Sequence, residues 1–303
     1  MQMPGFDPGL TKQYAGRLTR IINKDGTFNV HRRGETWRDF HPYLRLINMS
    51  WARFLFTLFW GYMLVNLLFA LGYYALGPGE LLGVRTSPNG LRFLDGFFFS
   101  THTLSTVGYG SISPKGLGAN ILASLEAMVG VMAFAVATGL LYGRISRPSA
   151  RFGFSRSLLV TPYGEGTSLQ FRIVNRRQNS LTEVEASMLL MTVRREKDVK
   201  ERQYEVLKLE RTQVMFLALT WTVVHVIDRD SPLWGKTAED LAEMQAEVMV
   251  LIKAYDDTFS QTVAARHSYR HDEIEWGRRF APAFYVDDGG GLVLEVSKVG
   301  DLS

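Results

Sequence analysis

No cysteine occurs in the 303 residues, so the chain offers no disulfide framework and no redox clue to its compartment. Charge is missing too, but only in places. Charged side chains make up 21% of the chain, close to ordinary globular usage, yet none stands between Arg53 and Glu80. From Gly116 to Gly143 there is only Glu126. Each window exceeds the roughly 20 apolar residues that cross a hydrocarbon core about 30 Å thick. The first, "FLFTLFWGYMLVNLLFALGYYAL", also lacks the polar face that a core helix of a soluble protein keeps. A cleaved signal peptide does not fit, because the charge-rich lead is too long for an n-region and the apolar run too long for an h-region. No repeat at solenoid periods is present.

What charge there is has a pattern. Lys12, Arg17, Arg20, Lys24, Arg32, Arg33, Arg38, Arg45 and Arg53 precede the first window, and Arg144, Arg147, Arg151 and Arg156 follow the second. The connection holds only Arg85, Arg92 and Lys115. The positive-inside rule then places both termini in the cytoplasm, with the membrane crossed twice. Basic residues flanking spans also meet anionic headgroups, so the net charge of +4 calls for no nucleic acid.

Residues 1–34 carry Gly, Pro and charge without apolar periodicity and read as an extended, partly mobile cytoplasmic arm. In 35–49, Trp37, Phe40, Tyr43, Leu44 and Ile47 recur at spacings of three and four. That is an amphipathic helix, to lie along the membrane interface or to pack as an ordinary soluble helix. Residues 50–147 form the membrane domain, with spans at about 53–77 and 116–143. Between them "LRFLDGFFFSTHTLS" is apolar but too short to cross, which suggests a re-entrant helix at about 92–105. From 148 to 303 the pattern is alternation. Leu169, Phe171 and Ile173, then Val184, Ala186, Met188 and Leu190, then Val248, Val250 and Ile252 predict a mostly antiparallel β sandwich. "KTAEDLAEMQ", residues 236–245, is its one helical interruption.

The stretch "THTLSTVGYGSISP" follows the short apolar helix directly. A dehydrated K+ ion needs a shell of oxygens in place of water, and backbone carbonyls can supply one. Gly108 and Gly110 permit the backbone angles that aim consecutive carbonyls inward. Thr106 adds a hydroxyl at the inner end, while Val107 and Tyr109 brace the loop. K+ would thus bind along Thr106, Val107, Gly108 and Tyr109, with Gly110 closing the filter. One chain gives one wall, so the motif implies a homotetramer. A phosphate loop would need a Lys and a preceding strand, and neither is there.

On the second span Ala127, Val131, Phe134, Thr138 and Tyr142 stay within about 80° of one another. This stripe either lines a pore, where Phe134 and Tyr142 gate by dewetting, or packs on the first span. Glu126 lies off the stripe and is expected to hydrogen-bond near the pore helix, although an intramembrane carboxylate is by default a functional candidate. His102 offers a structural hydrogen bond or a pH sensor. Gly130 and Gly139 allow a bend or close packing. In "HVIDRD", His225, Asp228 and Asp230 lack metal spacing or a nearby nucleophile and read as a hydrogen-bonded turn.

Taken together, "WRDFHPYLRLINMSW", "TVGYG", "RISRPSAR", "HVIDRDSPLWG" and "ARHSYRHDEIEWGRRF" make the chain resemble the inwardly rectifying potassium (Kir) channels, in particular their prokaryotic KirBac branch. The resemblance implies a tetramer of two-span subunits with a slide helix and an immunoglobulin-like cytoplasmic domain that continues the pore. It also implies lipid sensitivity at Arg144 and Arg147, although arginines that merely snorkel fit as well. Where strong rectifiers carry an acid on the inner helix, this chain has Phe134. Glu185 matches an acidic position of the cytoplasmic pore, or else forms a surface salt bridge, and a second such position is Lys253. The resemblance therefore implies weak Mg2+ or polyamine block at most. A glutamate and arginine that some relatives pair behind the filter are His102 and Ile112 here. The competing readings are a membrane-anchored binding or enzymatic β domain and a weakly selective cation channel of the same fold. A voltage-gated channel would need a helix of regularly spaced arginines, and there is none.

Overall fold

The computed structural model describes residues 8–12, 20–31, 33–34, 36, 41–84, 89–146, 151–196 and 199–303. It divides into two units, residues 34–147 and a β-rich unit that combines residues 1–33 with 148–303.

In the helical unit, α1 (Pro42–Asn48) is followed by α2 (Trp51–Leu76). Of the amphipathic helix expected over 35–49, α1 covers Pro42–Asn48. Proline at its first position holds His41 extended, at φ −106° and ψ 93°, so no helix passes through 41 into 42. Trp37 and Phe40 lie outside the described residues. After β1 (Leu81–Leu82) come α3 (Asn89–Leu104), β2 (Ser113–Pro114) and α4 (Leu117–Ile145). α2 and α4 are long and apolar enough to cross a membrane. Gly116 gives α4 no capping side chain; Glu80 takes that place, its Oε2 accepting the Ala119 N–H at 3.2 Å. A carboxylate there also suits the positive end of the helix.

The β unit runs β3 (Phe152–Phe154), β4 (Leu158–Tyr163), β5 (Gly166–Asn175), β6 (Leu181–Glu196), β7 (Val199–Leu207), β8 (Gln213–Phe216) and β9 (Thr220–Ile227). Then follow α5 (Ala238–Glu243), β10 (Glu247–Asp256), β11 (Gln261–Arg270), β12 (Ile274–Trp276), β13 (Phe284–Val286) and β14 (Leu292–Leu294). One sheet has the order β11-β10-β6-β7, with β8 also on β6; the other has β12-β4-β5-β3, with β9 on β5. Only β12 and β4 pair in parallel among these ladders. Each alternating run read from the sequence turns the same residues inward: Phe171, Ile173, Val184, Met188, Val250 and Ile252 share one core. α5 is shorter than its sequence signal but carries a complete capping box between Thr237 and Asp240.

The arm differs from its reading as an extended, partly mobile segment. Ile21 and Ile22 are buried against Met191, Tyr204 and Met249 on the outer face of the first sheet. Both oxygens of Glu247 accept the Ile21 N–H, at 3.2 and 3.1 Å, and Ser268 Oγ donates to Ile22 O at 2.6 Å. Arg20 and Lys24 both pair with Glu273. Two adjacent isoleucines carry no periodic signal, so only a partner surface distant in sequence reveals their role.

Candidate functional site

The expected filter, residues 106–110, follows directly on the end of α3. The N–H groups of Val107 and Gly108 both donate to His102 O, at 3.0 and 3.2 Å, and that of Thr106 to Thr103 O at 3.0 Å. Thr106, Gly108 and Gly110 have φ of 61°, 57° and 76°, while Val107 and Tyr109 between them do not share that region. Alternating handedness gathers successive N–H groups on one side and leaves the carbonyls for the other. Here the N–H side faces the helix end. For the glycines this conformation is free of steric cost; for β-branched Thr106 it costs about 1–3 kcal/mol, a strain that clusters at functional sites. The His102 and Tyr109 rings meet edge to face at 4.9 Å.

Behind α3 lies a polar cluster in an otherwise apolar packing. Glu126, 0% exposed, accepts the Tyr73 hydroxyl at 2.7 Å on one oxygen and contacts Ser100 Oγ with the other. Ser100 Oγ also donates to Asn66 Oδ1 at 3.0 Å, and Asn66 Nδ2 to Tyr62 O at 2.8 Å. Ser100 has one proton and faces two acceptors, and its bond to the Asn66 oxygen is set by that amide's orientation. Ser100, Asn66 and Tyr73 were not singled out in the sequence; an Asn inside the charge-free first window and a Ser in the short apolar helix were the available signal. Close by, a Cβ built on Gly130 would sit 2.3 Å from Leu104 O, so α4 passes the end of α3 at backbone contact. Gly139 has open space around it.

The proposed pore stripe does not pack on α2. Phe134 is 75% and Tyr142 72% exposed in the single chain, Val131 and Thr138 are exposed, and Ala127 is half-buried. The buried face of α4 is Ala119, Glu126, Gly130 and Leu140. Arg144, a lipid candidate, has its guanidinium engaged elsewhere. Nη1 donates to Leu46 O and Ile47 O, and Nη2 to Met49 O, at 2.6 to 2.8 Å, with the Trp51 and Phe54 rings 4.7 and 4.5 Å away. It closes the C-terminal end of α1. Arg147 lies outside the described residues.

In the β unit Glu185 and Lys253 are register partners on β6 and β10, both exposed. Opposite charges therefore face each other directly across the ladder. His225 is buried on β9, just before the turn: Nδ1 donates to Lys208 O at 2.7 Å and Nε2 accepts from Ser231 Oγ at 2.8 Å. Asp228 Oδ1 accepts the Asp230 N–H at 3.1 Å. Burial pushes the His225 imidazole below its ordinary value, against the opposing influence of Lys208 and Asp228.

Residues 152–302 match the family described as the inward rectifier potassium channel C-terminal domain, and residues 48–147 match the ion channel family. The chain is 36% identical over 95% of its length to the inward rectifier potassium channel Kirbac3.1 of Paramagnetospirillum magnetotacticum, covering 97% of that protein. It is 28% identical over 94% of its length to the human G protein-activated inward rectifier potassium channel 3, covering 78% of it. For channel 2 of the same kind from Mesocricetus auratus the figures are 27%, 90% and 69%.

Proposed function

This chain belongs to the inward rectifier potassium channel family, and we propose that four copies surround one axis to pass K+ passively through rings of carbonyls from Thr106, Val107, Gly108 and Tyr109. The observation that carries this reading is the alternating backbone of 106–110, with its N–H groups tied back to His102 and its carbonyls left without those donors. Gly110 ends the loop. Half-exposed Val107 and largely exposed Tyr109 are available to brace a neighbouring copy.

Below the filter, Ala127, Val131, Phe134, Thr138 and Tyr142 line the inner pore, and the two aromatic positions form the gate. Both termini are cytoplasmic, in keeping with the basic residues that flank α2 and α4. No acid stands at Phe134, and Lys253 offsets Glu185, which supports weak Mg2+ or polyamine block. Anionic lipids act on the basic flanks of the spans, Arg147 included; Arg144 contributes mainly by joining α1 to α4.

The test is uptake of K+ or Rb+ against Na+ into liposomes holding the purified protein. Barium-sensitive, K+-selective uptake is expected, and Tyr109→Ala should abolish the selectivity. A correctly assembled tetramer without barium-sensitive uptake overturns the proposal.

A further inference from the structure

Among the described residues, the backbone bonds that tie the loop 106–110 to α3 come from Thr106, Val107 and Gly108 and reach no further. From Gly96 to Pro114 the sequence has no Asp, Glu, Lys or Arg, so this stretch supplies no such ion pair of its own to hold the far end. What meets the chain just past Gly110 is the connection that follows α2.

Residues 80–83 run beside 111–116. Leu81 pairs with Pro114 and Leu82 with Ser113 in the β1–β2 ladder. That ladder is weak by itself, because each strand is two residues long and Pro114 has no N–H to give. Closer contacts secure both of its ends. At one, Glu80 O accepts the N–H groups of Lys115 and Gly116, at 2.8 and 3.4 Å, and Glu80 Oε2 accepts that of Ala119 in the first turn of α4. At the other, Gly83 lies against Ser111, the residue after Gly110. A Cβ built on Gly83 would sit 2.0 Å from Ser111 O, 3.0 Å from Ser111 C and 3.3 Å from Ile112 Cα. All three are backbone atoms, so no side-chain movement can make room. Gly83 also has φ 81°, a conformation that glycine adopts without steric cost. Gly77, in the same connection, has φ 102° and nothing within 4 Å. Conformation and contact therefore coincide at Gly83 and not at Gly77.

We infer that Gly83 is a positioning residue for the filter. Its bare backbone lets 80–83 close over Ser111 and fix the end of the K+ path at Gly110, while Glu80 fixes the same four residues to α4. This role rests on the reading of 106–110 as a K+ filter. Displacing Ser111 by the overlap that a Cβ creates moves the backbone of Gly110 and Tyr109 with it. Carbonyl rings that have spread no longer replace the hydration shell of K+ in preference to that of Na+. Bound K+ acts in the opposite direction, since a ligand of the ordered loop stabilises that loop by mass action. A filter without its clamp should therefore depend on the external K+ concentration more steeply than the intact one.

The experiment measures reversal potentials of the purified full-length tetramer in planar bilayers, K+ against Na+, at low and at high external K+. Gly83→Ala should lower K+ over Na+ permeability about tenfold or more at low external K+, and high external K+ should restore it. Gly77→Ala, which carries the backbone strain without the contact, should keep the K+ dependence of wild type. Where Gly83→Ala does not assemble, Glu80→Ala decides: it removes the anchor on α4 and should give the same K+-dependent loss in weaker form. A loss that high K+ leaves uncorrected, or that Gly77→Ala reproduces, marks a defect of the fold and overturns the assignment. So does Gly83→Ala, or Glu80→Ala in its place, responding like wild type. A wild-type protein that passes Na+ as readily as K+ would instead overturn the filter reading itself.

Discussion

Glu126 shows what one side chain can decide in an apolar packing. Its carboxyl joins α2 through Tyr73 to α3 through Ser100, and Asn66 extends the tie to Tyr62. A glutamine reaches both neighbours, its Nε2 donating to Ser100 Oγ and its Oε1 accepting from Tyr73, so Glu126→Gln should retain K+ over Na+ selectivity in the flux assay. Glu126→Ala takes the acceptor from the buried Tyr73 hydroxyl, at about 1–3 kcal/mol, leaves Ser100 to Asn66 alone, and should lower both selectivity and thermal stability. Equal behaviour of the two variants would count against the hydrogen-bond account. His267 acts with a different sign logic. Burial among Phe154, Tyr269 and the arm lowers its pKa from 6.5 to about 4, against the bond to Lys24 O. Between those values the unfolded chain binds the extra proton and the folded one does not. Stability should therefore fall as pH drops through this window, by about 3 kcal/mol in full. His225 shifts in the same direction and adds to the loss. Denaturant unfolding against pH checks this: His267→Gln should flatten the profile in part, and an unchanged slope would sink the assignment.

Among the elements, α4 carries two glycines that the sequence could not tell apart. Gly130 is where α4 touches the last carbonyl of α3, whereas Gly139 touches nothing within 4 Å in the single chain. Gly130→Ala must push the helices apart by more than a flexible side chain can absorb. It should cost several-fold in recovered tetramer on size-exclusion chromatography. Gly139→Ala gains up to about 1 kcal/mol of helix propensity per subunit and should assemble normally. Equal assembly of both variants would refute the contact as a packing constraint. The same element presents Phe134 and Tyr142 away from its buried face. Truncating each to alanine should raise open probability in single-channel recordings; unchanged gating in both would remove them as the gate.

For the whole molecule, the two units draw on different physics. The helical unit leaves most of α2 and α4 exposed, which water does not tolerate and lipid does. The β unit has an aqueous protein's core, with Phe171, Ile173, Val184 and Ile252 all fully buried between two sheets. Residues 1–33 belong with the β unit although they precede the spans in sequence, and Glu247 and Glu273 hold them there.

By itself the sequence determined the two apolar helices, the short helix between them, the inward faces of β5, β6 and β10, and the glycines of the loop after α3. Those features rest on periodicity and on residue types whose physics is local: charge that cannot enter lipid, alternation that must bury one face, glycine where φ is positive. Only the tertiary structure decided which partners Glu126 takes, that Arg144 closes α1, that the arm docks on the sheet, and that Gly83 closes on Ser111. Each of these joins residues far apart in the chain through a side chain's reach or through strand register. No local pattern encodes such a contact, because its energy comes from groups that only folding brings together.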